Sequence, residues 1–301
     1  MTADGTQATP ADYRPRRSVL YMPGANERAL EKAKGIAADA LILDLEDAVA
    51  PSAKESARDR VCAAVADGGY GRRELIIRVN GQDTAWYADD LRAAAKAGPD
   101  AVLVPKVGSA AEVHAIEQAL VAAGAPERTK IWAMVETPIA MLRALEIAEA
   151  SPRLTVLIMG TNDLAKELRV EHVPGRAPLL AGLGLALLAA RAAGKAIIDG
   201  VYNNVKDAEG FAAEAQQGRE LGFDGKTLIH PGQVAPCNEA FSPSAAQLTE
   251  AAEIVKAWDE ATAAGLGVVT VNGRMIENLH VDNARRLLAA DAAIAELAAT
   301  G

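Results

Sequence analysis

The sequence predicts an α/β fold: a TIM (β/α)8 barrel carrying a C-terminal helical and hairpin extension. Three observations predict it. Eight short apolar runs of strand length recur between residues 18 and 231. Ala-rich helical runs lie between them. The distance from strand to strand is roughly 23–40 residues, room for one helix and two short loops. The strand runs are apolar without clean polar alternation, as expected for strands covered on both faces. Eight such units in one chain point to the barrel. A doubly wound sheet usually carries a Gly-rich turn after its first strand, and "YMPGAN" is not G-x-G-x-x-G.

In chain order, residues 1–16 read as a flexible tail. "MTADGTQATPADYRPRR" is polar, with no apolar core, so it is not a secretory signal. Residues 17–241 hold the barrel. Its strands are "SVLYM" (18–22), "ALILDL" (40–45), "LIIRV" (75–79), "AVLVP" (101–105), "IWAMV" (131–135), "TVLIM" (155–159), "AIIDGV" (196–201) and "TLIHP" (227–231). Helices come from runs such as "NERALEKAKGIAAD", "SAAEVHAIEQALVAAG" and "DAEGFAAEAQQGRELG". The most apolar of these, "APLLAGLGLALLAA" (177–190), is shorter than the ~20 residues that span a bilayer and reads as a buried helix. Residues 242–301 are no ninth unit. "SPSAAQLTEAAEIVKAWDEATAAG" is a capped amphipathic helix, "VVTVNGRMI" carries the Asn-Gly hairpin signal, and "VDNARRLLAADAAIAELAA" is a last helix. This extension is read as a lid, an arm onto a neighbouring subunit, or both.

Composition narrows the partners. The 301 residues are 50% hydrophobic and 24% charged with a formal net charge of −9, which disfavours nucleic acid and anionic membranes. It leaves room for a local basic pocket. Cys62 and Cys237 match no metal or redox spacing, and a reducing, cytoplasmic setting is the simplest reading.

A barrel puts its chemistry at the C-terminal ends of its strands. Those ends carry Tyr21; Asp44, Glu46 and Asp47; Arg78 and Asn80; Lys106; Glu136; Gly160 and Asp163; Asp199 and Asn203; and His230. Alternation in "LILDLEDAVAP" aims Asp44 inward at the mouth. A buried carboxylate cluster needs a counter-charge, supplied by Arg78 or by a divalent cation. Carboxylate oxygens without a His or Cys cluster suit Mg²⁺, or Mn²⁺, with several waters retained. Each residue also has a bland reading. Asp163 could cap a helix, Glu136 could charge a helix N-terminus, Arg78 could be a structural bridge to Asp44, and His230 could be a turn residue. The convergence of many loops on one rim favours a single site.

"RSVLYMPGANERALEKA", "ALILDLEDAVAPSAKESAR", "IIRVNGQDT", "VLVPKV", "AMVETPIAM", "LIMGTNDLA" and "KTLIHPGQV…NEAFSPS" together resemble the citrate lyase beta subunit-like family of CoA-ester lyases, in the HpcH/HpaI aldolase superfamily. The resemblance covers about residues 16–290. It implies that Glu136 and Asp163 are Mg²⁺ ligands and that Arg78 holds the carboxylate or carbonyl end of the substrate. It implies that Glu46 and Asp47 surround the metal waters and that arginine. Tyr21 and Lys32 would line the CoA pocket with Arg17 nearby, and Gly160, Thr161 and Asn162 would offer N–H groups to an oxoacid carboxylate. Family members are typically trimers or hexamers whose C-terminal segment covers a neighbour's site. Two departures stand out. Asn26 occupies a loop position where dedicated malyl-CoA lyases often have arginine, and Glu277 stands where many members place an aspartate proton donor.

The activity implied first is Mg²⁺-dependent, reversible Claisen-type cleavage of malyl-CoA, β-methylmalyl-CoA or citramalyl-CoA. The products would be acetyl-CoA or propionyl-CoA plus glyoxylate or pyruvate, with Arg78 as a bidentate clamp and Glu277 protonating the enolate. Two alternatives stay open: a (3S)-malyl-CoA-type thioesterase, and a citrate lyase beta subunit acting on an acyl-carrier protein within a complex.

Overall fold

The computed structural model describes residues 13–299. Most of the expected tail, residues 1–12, lies outside the described residues. The described chain forms two compact units, one running from Arg16 to Phe241 and the other built from Ser242 onward together with residues 13–15.

The first unit is a closed barrel of eight parallel strands in sequence order. They are β1 (Ser18–Pro23), β2 (Ala40–Asp44), β3 (Glu74–Arg78), β4 (Ala101–Val104), β5 (Lys130–Val135), β6 (Leu154–Met159), β7 (Ala196–Asp199) and β8 (Gly225–Leu228), with β8 closing onto β1. Around them pack α1 (Glu27–Ala33), α2 (Lys54–Asp67), α3 (Tyr87–Ala97), α4 (Ala110–Ala122), α5 (Pro138–Leu142), α6 (Ala144–Glu149), α7 (Thr161–Leu168), α8 (Leu180–Ala192), α9 (Ala208–Leu221) and α10 (Val234–Phe241). The apolar 177–190 run forms most of α8, which buries Leu183, Ala186, Leu187, Ala189 and Ala190.

Every strand is buried on both faces, and side-chain alternation still sorts the residues. One core fills the barrel: Val19, Ala40, Ile42, Ile76, Leu103, Trp132, Met134, Val156, Ile158 and Ile198 are members. A second lies between barrel and helices, with Leu20, Leu41, Leu43, Ile77, Val102, Ala133, Leu157 and Ile197 among its members. The same two-residue period carried to the strand ends turns Tyr21, Asp44, Arg78, Glu136 and Thr227 inward at the C-terminal mouth. At the other end it turns Glu74 inward, where Arg16 meets it at 2.6 Å and lies over the Trp132 ring. Arg17 pairs with Asp39 at the same N-terminal end.

Alternation also corrects one expectation. Asp199, expected at the rim, faces outward from β7. It is fully buried and bonded to Arg176 at 2.7 Å and Lys226 at 3.1 Å, with Glu214 of α9 completing the cluster. This network ties barrel to helix layer.

In the second unit, α11 (Ala245–Ala263) starts in a capping box made by Ser244 and Gln247. A hairpin of β9 (Val269–Val271) and β10 (Arg274–Ile276) follows. Its turn puts Asn272 at φ 50° and Gly273 at φ 77°, the backbone an Asn-Gly turn of type I′ requires. The last helix, α12 (Asn278–Ala299), packs on α11.

Candidate active site

The C-terminal mouth of the barrel encloses a cavity of about 320 Å³. Of the residues singled out in the sequence, Tyr21, Asp44, Asp47, Arg78, Glu136, Gly160, Thr161, Asn162, Asp163 and Asn203 line it, joined by Ala48, Met134, Met159, Val201, Thr227 and Ile229.

Arg78 is its organising cation. Asp44 and Arg78 are register partners on β2 and β3. Arg78 Nε and Nη2 donate to the two Asp44 oxygens at 2.6 and 2.7 Å. Nη1 meets Glu46 Oε2 at 2.6 Å and Asp47 Oδ2 at 3.3 Å. The Tyr21 ring lies 4.7 Å from the guanidinium carbon. Burial works against the charge on Arg78, but Asp44 foremost, with Tyr21 and Glu46, outweighs it and keeps the guanidinium a fixed cation. The structural-bridge reading of Arg78 is therefore correct. The same bridge occupies the Nε/Nη2 edge. Asp44 is further fixed by the N–H groups of Glu46 and Ala48, at 2.9 and 3.1 Å.

Glu136 ends the inward series Trp132, Met134, Glu136. Its Oε1 accepts the Lys106 N–H at 2.8 Å. Lys106 adopts φ 54°, a left-handed backbone uncommon outside glycine, and this turn aims the N–H at the carboxylate. On its other side Glu136 abuts Gly160: a Cβ there would lie 2.0 Å from Oε2, so only glycine fits. Burial first, then Asp163 and Glu46, pushes Glu136 up to about 7. Burial also pushes Glu46 up to about 7, opposed by Arg78 and reinforced by Asp47 and Asp44. Desolvation works against the charge on Lys106, yet Asp163, Glu46, Glu136 and Asp47 together hold its pKa above the ordinary lysine value.

Asp163 lies within the first turn of α7, and the cap position is Gly160, which has no side chain to bond, so the capping reading fails. Gly160 spends its own N–H on Val135 O at 3.3 Å, leaving Thr161 and Asn162 as the first-turn donors at the cavity. Asn162 and Asn203 exchange amide hydrogen bonds at 3.1 and 2.8 Å across the loops after β6 and β7.

Four sequence candidates, Arg17, Lys32, Glu277 and His230, are not among the cavity-lining residues. Arg17 precedes β1 at the opposite end of the barrel and is committed to Asp39 through Nε and Nη2 at 2.9 and 2.8 Å; the CoA-pocket expectation for it is corrected. Lys32 is exposed in the last turn of α1 and is not among the cavity residues. Glu277 belongs to the C-terminal unit, exposed between β10 and α12, its N–H donating to His280 Nδ1 at 3.0 Å. His230 is a turn residue: its Nδ1 accepts the Gly232 N–H at 3.0 Å in a capping box with Gln233.

The donor set fits a hard divalent cation. Five carboxylates (Asp44, Glu46, Asp47, Glu136 and Asp163) face two cations, Arg78 and Lys106, so the ionised site is strongly negative. Among the described residues no group of three or more His, Cys, Asp or Glu is arranged to hold an ion. Any ion there takes few protein ligands and keeps its waters, the habit of Mg²⁺.

A filled α/β barrel with an acidic, arginine-anchored mouth is the setting of an enzyme site, and the comparisons give its family. The chain belongs to the HpcH/HpaI aldolase/citrate lyase family, which residues 17–231 match, and residues 183–293 match the carbon–carbon bond lyases of the TIM-barrel fold. It is 52% identical over 286 residues to a (3S)-malyl-CoA thioesterase of Cereibacter sphaeroides, covering 95% of this chain and 98% of that one. It is 39% identical over 280 residues to citrate lyase subunit beta of Escherichia coli, covering 91% and 93%. Among solved structures it resembles the CitE protein of Mycobacterium tuberculosis in complex with magnesium, acetoacetate and coenzyme A, with a TM-score of 0.73, 30% identity and coverage of 91% and 97%.

Proposed function

We propose that this chain hydrolyses (3S)-malyl-CoA to malate and free CoA with the help of Mg²⁺. The observation that carries the reading is Glu46, a carboxylate pushed up to about 7 that is not itself among the cavity-lining residues but is held 2.6 Å from Nη1 of Arg78, which is. A group with that proton affinity accepts a proton from water at neutral pH. The reading is supported by 52–54% identity to four proteins named (3S)-malyl-CoA thioesterase, against 37–39% to those named citrate lyase subunit beta. It reverses the order given by the motifs, which put carbon–carbon cleavage first.

Glu136 and Asp163 would hold the ion. When bound, it supplies Lewis-acid polarisation of substrate oxygens and lowers the cost of negative charge in the transition state. The protein's own groups do the rest. Arg78, fixed by Asp44, offers Nη1 to a substrate carboxylate or carbonyl in place of Glu46. Thr161 and Asn162 present first-turn N–H donors to the acid end. Glu46, displaced from Arg78, takes the proton of the water that attacks the thioester carbonyl. The carbon–sulfur bond breaks, and the departing CoA sulfur receives the proton.

Carbon–carbon cleavage remains the second reading, favoured by the lyase family match over residues 183–293. Under it Glu277, from a neighbouring copy in a trimer or hexamer, protonates the acetyl-CoA enolate. Exposed Leu266, Met275 and Leu279 in the C-terminal unit support a surface covered by such a copy.

The deciding experiment incubates the chain with (3S)-malyl-CoA and Mg²⁺ and identifies the products, with and without EDTA. Malate and free thiol, lost on chelation, are expected. Glyoxylate with acetyl-CoA would establish the second reading. Inertness toward every free CoA ester would point to acyl-carrier-protein substrates.

A further inference from the structure

Lys54, the first residue of α2, is 6% exposed, although a lysine there would ordinarily lie in solvent. Its Nζ donates to three oxygens: Leu45 O at 2.8 Å, Glu46 O at 2.7 Å and Asn80 Oδ1 at 2.6 Å. The ammonium has three protons, and each has an acceptor. All three acceptors are neutral. The side chain lies beside the Trp86 ring, Nζ 5.4 Å from its centre.

This is an expensive arrangement for stability alone. A buried ammonium is disfavoured unless an anion bonds it, and a cation in the first turn of a helix opposes the helix dipole. Methionine would fill the same space without either penalty. What only the ammonium does is converge the backbone after β2 and the side chain after β3 on one atom.

The acceptors define its target. Two are the carbonyls of Leu45 and Glu46, in the segment whose carboxylates, Asp44, Glu46 and Asp47, meet Arg78. The third, Asn80, is anchored in turn: its N–H and Nδ2 donate to Asp90 Oδ2 at 3.1 and 2.5 Å, and Arg58 Nε donates to Asp90 Oδ1 at 2.6 Å. A continuous polar chain thus runs from α2 and α3, through Arg58, Asp90, Asn80 and Lys54, to the backbone that carries Glu46.

We propose that Lys54 is a positioning residue that acts through Glu46, holding the acidic loop so that the Glu46 carboxylate is registered against Arg78 and the reacting water. The proposal rests on the reading of Glu46 as the proton acceptor.

The test is a double-mutant cycle on (3S)-malyl-CoA turnover, using Lys54→Met, Glu46→Gln and the pair, with pH profiles and thermal unfolding of each. Lys54→Met is expected to lower kcat about 100-fold, the scale of a small misplacement of a reacting group, while KM changes less than about threefold. The acid limb of its pH profile should move. In the Glu46→Gln background the same substitution should cost almost nothing further. Losses that multiply would overturn the proposal, because Lys54 would then act independently of Glu46. Wild-type kcat in Lys54→Met would overturn it as well. Full activity in Glu46→Gln alone would overturn the reading of Glu46, a failure distinguishable from either. If Lys54→Met is insoluble, Lys54→Gln, which keeps two of the three N–H donors on a shorter side chain, carries the same cycle.

Discussion

The Asp44 carboxylate lies side by side with the Arg78 guanidinium on adjacent strands and takes its Nε and Nη2 at 2.6 and 2.7 Å. The pair is 1% and 6% exposed, so bulk solvent screens neither charge well. Asp44→Asn keeps the shape and removes the anion. Removing one partner of a buried pair costs about 3 kcal/mol, and denaturant unfolding should show a loss of that order. Turnover should fall too, because Arg78 then loses the carboxylate that fixes its Nε/Nη2 edge and is held by Glu46 and Asp47 alone. An unchanged unfolding midpoint would mean those two carboxylates suffice.

Gly160→Ala probes the other half of the mouth. The backbone there is ordinary, at φ −93°, so no strain attends the change. The difficulty is space, with a Cβ 2.0 Å from Glu136 Oε2 and 2.4 Å from its Cβ. Turning the Glu136 side chain relieves the clash with Oε2 but not the one with its Cβ, so the backbone beneath Glu136 must shift as well. A variant that folds with a normal circular dichroism spectrum should bind Mn²⁺ at least about 10-fold more weakly by titration, on the scale of losses when support around a metal ligand is altered. Unaltered Mn²⁺ affinity would remove Glu136 from the ligand set.

Glu46 sets a pH dependence. Its proton affinity rises from the ordinary 4.5 to about 7 on folding, chiefly by burial. Between those values the folded chain holds a proton that the unfolded chain has lost. The resulting stabilisation is complete below 4.5 and disappears as pH rises through about 7. Activity runs the opposite way: kcat/KM should climb with pH through an acid limb near 7 as the carboxylate becomes able to accept a proton. Glu46→Gln should lower the rate about 100-fold and erase that limb. A limb unchanged in the variant assigns it to another group.

The cysteines should be poor nucleophiles while the chain is folded. Burial pushes Cys62 up to about 11 and Cys237 up to about 12. Cys237 also lies 3.2 Å from the Arg17 carbonyl. At pH 8 the folded chain should react slowly with a thiol reagent, Cys237 slowest, and both should react quickly in denaturant. Rapid native labelling of Cys237 would indicate that the joint between α10 and β1 opens.

The barrel was legible because its strands are buried on both faces, and unbroken runs such as Leu41-Ile42-Leu43 have few other interpretations. Strand ends blurred where polar residues take part. β8 begins at Gly225, two residues before the apolar run, because Lys226 is buried against Asp199 and Glu214. Asp199 was expected at the mouth because proximity to a strand end does not reveal which face a side chain takes. Asp44 was legible from its alternation with Leu43 and Leu45, but the capture of two Arg78 nitrogens was not, since that depends on the register of β2 with β3. Arg17 was expected near the CoA pocket on the resemblance, although it precedes β1 and so sits at the opposite end of the barrel. Lys54 gave no signal at all. Its acceptors include Asn80, 26 residues away, and in sequence it is one more charged residue opening a helix.

Trp132 fills the barrel two residues below Met134, fully buried, while Trp86 and Trp258 are half-buried in other settings. The floor of the cavity therefore rests on a natural fluorophore. With Trp86 and Trp258 replaced by Phe, the remaining emission would come from an apolar interior and report on the barrel alone. Its wavelength would follow loosening of that interior, and its intensity would respond when a ligand settles above Met134, with no dye attached and no change of charge.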